Sequence, residues 1–542
     1  MTKSVAAGSS KRQNLSSVKL VSLPSNFLQF KYLGFIIAGV YCTLLSWSAW
    51  VYHVVGDYNV ETDFYWSYIP EAKSILRGVV SIEDFHGPMY PAMLGLFGAI
   101  TNDFFHSGVC VSILSAGCFL VLLFYTWKTF VPPDIAFAGV LLVAVNSFFI
   151  QYSYSAGTDM FFNALLMASI YFLFKKENPL LQEIVCSAFF AALAYLTRYN
   201  GIFMLLAIPV IFLIVNPFRS SMRRRFYIVA EFLAVFFLCI TPWGIYCSIE
   251  KGSFFFNKNY LNIAYEMFAK NRIGWDQFWF SNSVQYTSLA QVAFSDPGLF
   301  FQTVAHNVIE HFYYDMEKLM GWHVGVFVVL GLLMFWKRRP TRKEAAFWVV
   351  GVSFFCVLLL VFYGERFSLF LIPIYILIAL HALTLLQTES FRAGIRIRLG
   401  MWITLILVIW TLSQALSFNR TNIDSGPKEV LAIAEWFHRN VGMVPDTTII
   451  VARKPHISYY LGMSMSVFPN ISSMEELYRS LRQSHAQYLY FGVFEASMRP
   501  QFQRLLDPLN APGWLIPLTY TVDPPAVLYR VSVPGDSAHA IR

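Results

Sequence analysis

Charge is what this sequence has least of. Only 13% of its 542 residues are Asp, Glu, Lys or Arg, against about 25% in an ordinary soluble protein. So few charges cannot coat a soluble body of this size, but they suffice for one whose outer surface is mostly lipid. Cysteine is sparse and one-sided. The seven (Cys42, Cys110, Cys118, Cys186, Cys239, Cys247 and Cys356) lie in or beside apolar runs, and none follows residue 356. The C-terminal part therefore has no disulfide framework. There is no HExxH, no CxxC, no cluster of histidines, and no Walker or GxGxxG loop. No metal-ligand spacing stands out and a nucleotide has no evident seat. The sequence calls for no cofactor and leaves a divalent metal open.

Apolar and aromatic residues are abundant instead, at 56% and 18%, with 52 Phe, 29 Tyr and 14 Trp. A helix needs roughly 20 apolar residues to cross the hydrocarbon. Runs of about that kind fall at 32–52, 107–127, 134–152, 157–174, 182–197, 201–217, 226–248, 321–336, 346–363, 367–387 and 400–417. The first is too long for a signal-peptide core and lacks a small-residue cleavage site, so it reads as an uncleaved span. The formal charge of +8 does not point to nucleic acid, because the bases sit in short loops. With residues 1–31 as a cytoplasmic tail, the inside loops hold Lys128, Lys175, Lys176, Arg219, Arg223, Arg224, Arg225, Lys337, Arg338, Arg339, Arg342, Lys343, Arg392, Arg396 and Arg398. The short outside loops hold almost none, which is the bias that sets membrane topology.

The expectation is an α-helical polytopic membrane protein of about eleven spans over 32–417, followed by a small C-terminal α/β domain over 418–542. The membrane is the plasma membrane and the domain lies outside. Outer loops cover 53–106 and 249–320. Within the domain, KEVLAIAEWFHRN has helical spacing, and TTIIVARK and QYLYFGV are strand-like. SSMEELYRSLRQS opens on a cap-like Ser with acids in the first turn.

The first outer loop contains GDYNVETDFYWSYIPEAKSILRGVVSIEDFHGPMYPAMLGLFGAI. Tyr65, Tyr68, Ile69, Ala72, Ile75 and Leu76 fall at helical spacing, Gly78 suits a helix stop, and a second apolar stretch after Pro88 is too short to span. Both read as helices lying in the membrane interface. Glu61 and Asp63 stand just before the first. A carboxylate at that depth can accept a proton from an incoming hydroxyl. An acid before a helix is equally a cap favoured by the dipole.

The segment TDFYWSYIPEAKSILRG…DFHGPMYP resembles the first outer loop of bacterial transferases of the glycosyltransferase C superfamily, in the branch of protein O-mannosyltransferases and aminoarabinose transferases. SAGTDMFFNALL resembles that family's second acidic motif, LTRYNG its turn between the fifth and sixth spans, and GERFSLFLIP its late Arg-plus-Pro motif. The resemblance implies a membrane enzyme that uses a polyprenyl-phosphate sugar as donor. The acceptor is a hydroxyl on a lipid, glycan or protein outside the cell, and nucleic acid is not a partner. Asp63 matches the catalytic acid and Asp159 the second acid. Glu61 is a further catalytic candidate, since Phe64 stands where many relatives carry a second carboxylate. Arg198 and Arg366 match positions suited to clamp a phosphate, with Tyr65 and His86 as further substrate contacts. His86-Gly87-Pro88 departs from the family's pattern and supports no lysine–phosphate contact there. VARKPHISYYLG, with Lys454 and His456, looks like a recurring tail element of bacterial members.

Each match has a plainer alternative. Thr158 or Asp159 caps a helix, and Arg198 snorkels to the headgroups. Two other functions compete: a transporter or flippase of lipid-linked sugar, and a membrane scaffold presenting its tail to a partner. A transporter predicts ionisable residues in mid-span and broken helices in matching halves. The charges here gather at span ends.

Overall fold

The computed structural model describes residues 20, 24–281, 283–335, 340–392 and 398–532. Lys3, Lys11, Arg12, Lys19, Lys337, Arg338, Arg339 and Arg396 lie outside the described residues.

Each of the eleven expected spans falls on a helix. Leu33–Tyr52, Phe104–Trp127, Met222–Lys251, Glu365–Ser390 and the helix opening at Leu399 are long and apolar enough to cross a bilayer alone. Thr158–Phe174, Leu181–Thr197, Tyr199–Val215 and Trp322–Leu333 are shorter apolar helices, and Arg342–Leu358 completes the set. The run at 134–152 is the exception to continuity. It divides into Pro133–Ala144 and Ser147–Tyr154, which meet at 64°. Asn146 causes the break. Its Oδ1 accepts from the backbone N–H of Phe148 and Phe149, starting a new helix. Its Nδ2 donates to the Leu319 carbonyl at 2.7 Å.

The basic loops gather at one end of the bundle. Lys176 pairs with Glu183, and Lys343 with Glu177 at 2.8 Å. Arg224 donates to the Pro179 carbonyl and Arg342 to that of Asn216. The helix Thr158–Phe174 runs from the opposite end to this one, and Leu181–Thr197 runs back. At 1.5 Å per residue, each 17-residue helix separates the two ends by about 25 Å.

At that opposite end the first loop folds as two helices. Phe64–Leu76 opens with a π-helical turn over Phe64–Tyr68, whose first flanking residue is Asp63. Met89–Thr101 buries Tyr90 and Leu94 while Leu96 and Ile100 stay exposed, as suits a helix with one face toward lipid. The loop presses hard on the bundle. A Cβ on Gly87 would come within 2.1 Å of the Leu196 carbonyl oxygen, at the end of the helix that leads into Arg198. Gly87→Ala is therefore expected to cost about 1–3 kcal/mol through overpacking. The check is a thermal melt in detergent, in which an unchanged midpoint would show that the loop can give way.

The C-terminal domain is a five-stranded sheet in the order β2-β1-β3-β5-β4: β1 Ile449–Ala452, β2 Ser464–Val467, β3 Tyr488–Gly492, β4 Leu515–Val522 and β5 Pro525–Val531. The first three strands are parallel, and β5 joins β3 and β4 antiparallel. Helices Lys428–Asn440 and Met474–Gln483 match the two helical readings of the tail, the second with a Ser473–Glu476 capping box. The sheet stands at the Asp63 end of the bundle, with Tyr58 of the first loop packed among residues of its core.

Candidate active site

Four of the sequence-selected residues meet in one network. An Nη of Arg366 lies 3.3 Å from Asp63 Oδ2, and the other lies 3.4 Å from Asp159 Oδ2. Arg198 pairs with the second oxygen of Asp159. Asp159 thus sits between two guanidinium groups, and Arg366 bridges two carboxylates. Four separate chain segments supply them: the first loop, the starts of Thr158–Phe174 and Glu365–Ser368, and the turn after Leu181–Thr197. The Phe367 ring lies near both arginines, 5.6 Å from the Arg198 guanidinium and 5.8 Å from that of Arg366. This ring packing helps fix the guanidinium planes.

Exposure separates the two acids. The Asp63 side chain is 57% accessible and that of Asp159 only 4%. Asp159 is a buried counter-charge, whereas Asp63 keeps an edge open to anything entering from that side. A chemical group that must receive a proton from a diffusing partner has to be the exposed one.

The other three candidates stand apart from this network. Glu61 is fully buried. Its carboxylate accepts from the backbone N–H of Asp57 at 2.9 Å and of Ala156 at 2.6 Å, and pairs with His53 at 3.0 Å. These three contacts tie the first loop to the residues before Thr158 and enclose the carboxylate away from the Asp63 network. His86 is buried, its Nε2 lying 3.3 Å from Glu71 and 3.0 Å from Ser67 Oγ. Burial lowers its basicity, but the hydrogen bond and charge of Glu71 more than offset that, so the pKa is raised. Tyr65 is buried as well, its hydroxyl accepting from the Gly56 N–H and meeting that of Tyr460. Sequence spacing cannot tell an acid at 61 from one at 63. Only the fold shows which is enclosed.

A residue whose role the sequence left unread also reaches the area. Lys454, in the turn after β1, donates to the Tyr58 carbonyl at 2.5 Å and to Thr62 Oγ1 at 2.8 Å, next to Asp63. His456 lies 3.1 Å from the Asp57 carbonyl, and burial pushes its pKa down to about 3. Among the described residues, no group of three or more His, Cys, Asp or Glu is placed to hold a metal ion.

Comparison with known proteins places this architecture. The chain has the fold of membrane glycosyltransferases. Over 93% of its length it superposes on 98% of the ArnT of Cupriavidus metallidurans bound to undecaprenyl phosphate, with a TM-score of 0.58 at 9% identity. The oligosaccharyltransferase of Archaeoglobus fulgidus, in a complex with Zn and sulfate, matches 92% of this chain with 73% of its own, at TM-score 0.57 and 13% identity. The AglB form of that enzyme with an inhibitory peptide and a dolichol-phosphate matches at TM-score 0.54 and 13% identity, over 95% of this chain and 76% of that one.

In sequence, residues 85–246 match the family of dolichyl-phosphate-mannose-protein mannosyltransferases. No curated protein matches the chain in sequence. The fold match agrees with the resemblance read from the sequence: this is a multi-pass membrane protein with the glycosyltransferase C fold, and its residues 85–246 resemble the mannosyltransferase family.

Proposed function

We propose that the chain transfers a sugar from a polyprenyl-phosphate donor to an acceptor hydroxyl on the extracytoplasmic side of the membrane. The carrying observation is the chain Asp63–Arg366–Asp159–Arg198, which joins an exposed carboxylate to paired guanidinium groups at one end of the bundle. The basic loops lie at the other end. The positive-inside bias supports a basic end in the cytoplasm and a carboxylate outside. Undecaprenyl phosphate in the ArnT structure and dolichol-phosphate in the AglB structure support a lipid-phosphate donor.

In this reading the lipid phosphate approaches Arg366 and competes with Asp63 for it. The carboxylate is released as the phosphate settles, and so becomes a base only when donor is present. The acceptor hydroxyl then gives its proton to Asp63 while its oxygen attacks the anomeric carbon. The bond from that carbon to the phosphate oxygen breaks, and the electron pair leaves with the polyprenyl phosphate. Arg366 and Arg198 stabilise the charge that develops there. A single displacement inverts the anomeric centre.

The test is mass spectrometry of envelope glycolipids and glycans in a deletion strain. Unused polyprenyl-phosphate sugar should accumulate while one acceptor loses a single sugar, and wild-type protein should reverse both. Donor confined to the cytoplasmic leaflet, with transferase activity intact in opened vesicles, would instead show a flippase.

A further inference from the structure

The tail does more than sit above the membrane. It holds the segment around Asp63 at several points. Before it, His456 meets the Asp57 carbonyl, and the Tyr58 hydroxyl donates to Glu429 at 3.2 Å. After it, Tyr460 meets the Tyr65 hydroxyl at 3.1 Å. The Lys454 ammonium enters between these points, on the Tyr58 carbonyl and on Thr62 Oγ1, while Thr62 Oγ1 itself donates back to the Tyr58 carbonyl. The turn that sets the direction of Asp63 is therefore closed by a side chain 392 residues away.

We propose that Lys454 is a positioning residue of the transfer site: carried by the C-terminal sheet, it locks the turn over Tyr58–Thr62 and sets a positive charge facing the Asp63 carboxylate. The inference rests on the role of Asp63 given above and makes the soluble domain part of the catalytic unit.

The ammonium sits in mixed company. Asp57 and Asp63 face it from the loop, Glu495 and the Phe494 ring from the helix Val493–Met498, and Arg453 from its own turn. Burial lowers its pKa, with Arg453 adding to the effect and the acids opposing it, to about 8. The group is charged below that pH and neutral above it. A rate that needs the cation is present at neutral pH and lost as pH rises through about 8.

The experiment follows turnover against pH for purified full-length protein. Donor lipid is extracted from the deletion strain that accumulates it, and released polyprenyl phosphate is measured. Wild type should lose activity across a limb near pH 8. Lys454→Met should be about tenfold slower at pH 7, with that limb gone and the KM for donor lipid unchanged. Lys454→Arg, which stays charged, should hold its rate to beyond pH 9. Melts in detergent identify any variant that fails to fold, and the limb in the other variant then decides. A Lys454→Met enzyme with wild-type rate and limb, or a limb at the same pH in all three proteins, overturns the proposal. Asp63→Asn is assayed beside them. If it is active, the base assignment itself fails. If it is dead while Lys454→Met is normal, only the role of Lys454 falls.

Discussion

Asp63→Asn should abolish turnover while leaving the protein folded and able to bind lipid phosphate. Loss of a positioned general base costs about 10²- to 10⁴-fold in rate, and the amide keeps the shape of the side chain without its basicity. Stability should barely move. Asp63 is more than half exposed, its contact with Arg366 is 3.3 Å, and Arg366 keeps Asp159 as a partner when that contact goes. Binding carries the sharper information. Asp63 and the phosphate compete for the same guanidinium, so removing the carboxylate should leave undecaprenyl phosphate bound as well as before or more tightly. Kinetics with extracted donor and a thermal shift with undecaprenyl phosphate check the two halves. A variant with near-normal turnover excludes Asp63 as the base. One that is inactive and no longer binds the lipid recasts it as a structural acid.

Asp159→Asn should give the opposite pattern: a large loss of stability that lipid phosphate restores. Asp159 is buried between Arg198 and Arg366. Neutralising it leaves two guanidinium groups close together without their shared counter-ion. Removing one partner of a buried ion pair costs about 3–5 kcal/mol. A phosphate dianion can take the vacated role, so undecaprenyl phosphate should raise the melting temperature of this variant more than that of wild type, as expected for a ligand that binds only the folded form. Turnover should fall because the product phosphate is held too firmly and Arg366 is no longer aimed. Equal shifts in both proteins would show that the phosphate is bound elsewhere.

The helices were open to reading because lipid imposes one rule along the whole span: a run of apolar residues must satisfy its own backbone. Arg198 and Arg366 could be picked out because each stands at the end of the bundle where other short loops carry almost no base. Asp159 could be picked out as an acid opening an apolar helix. What escaped the sequence depends on contacts between distant segments. Asn146 looks like one polar residue in an apolar run, and only its bond to the Leu319 carbonyl shows why the helix breaks there. Glu61 and Asp63 share a chemistry and lie two residues apart, yet one is enclosed by His53, Asp57 and Ala156 and the other is open. Strands β2, β4 and β5 carry weak alternation, with β2 only four residues long. They are held by their neighbours more than by their own pattern. The significance of Lys454 lies in the fold of two segments at opposite ends of the chain.

That separation in sequence also sets a clock. At about 5–20 residues per second of synthesis, the turn preceding Asp63 is made roughly 20–80 s before the lysine that closes it, 392 residues later. During that interval the helices can insert while the turn over Tyr58–Thr62 lacks the side chain that closes it. On the proposal for Lys454, the turn before Asp63 gains its lock only once the C-terminal sheet has been made.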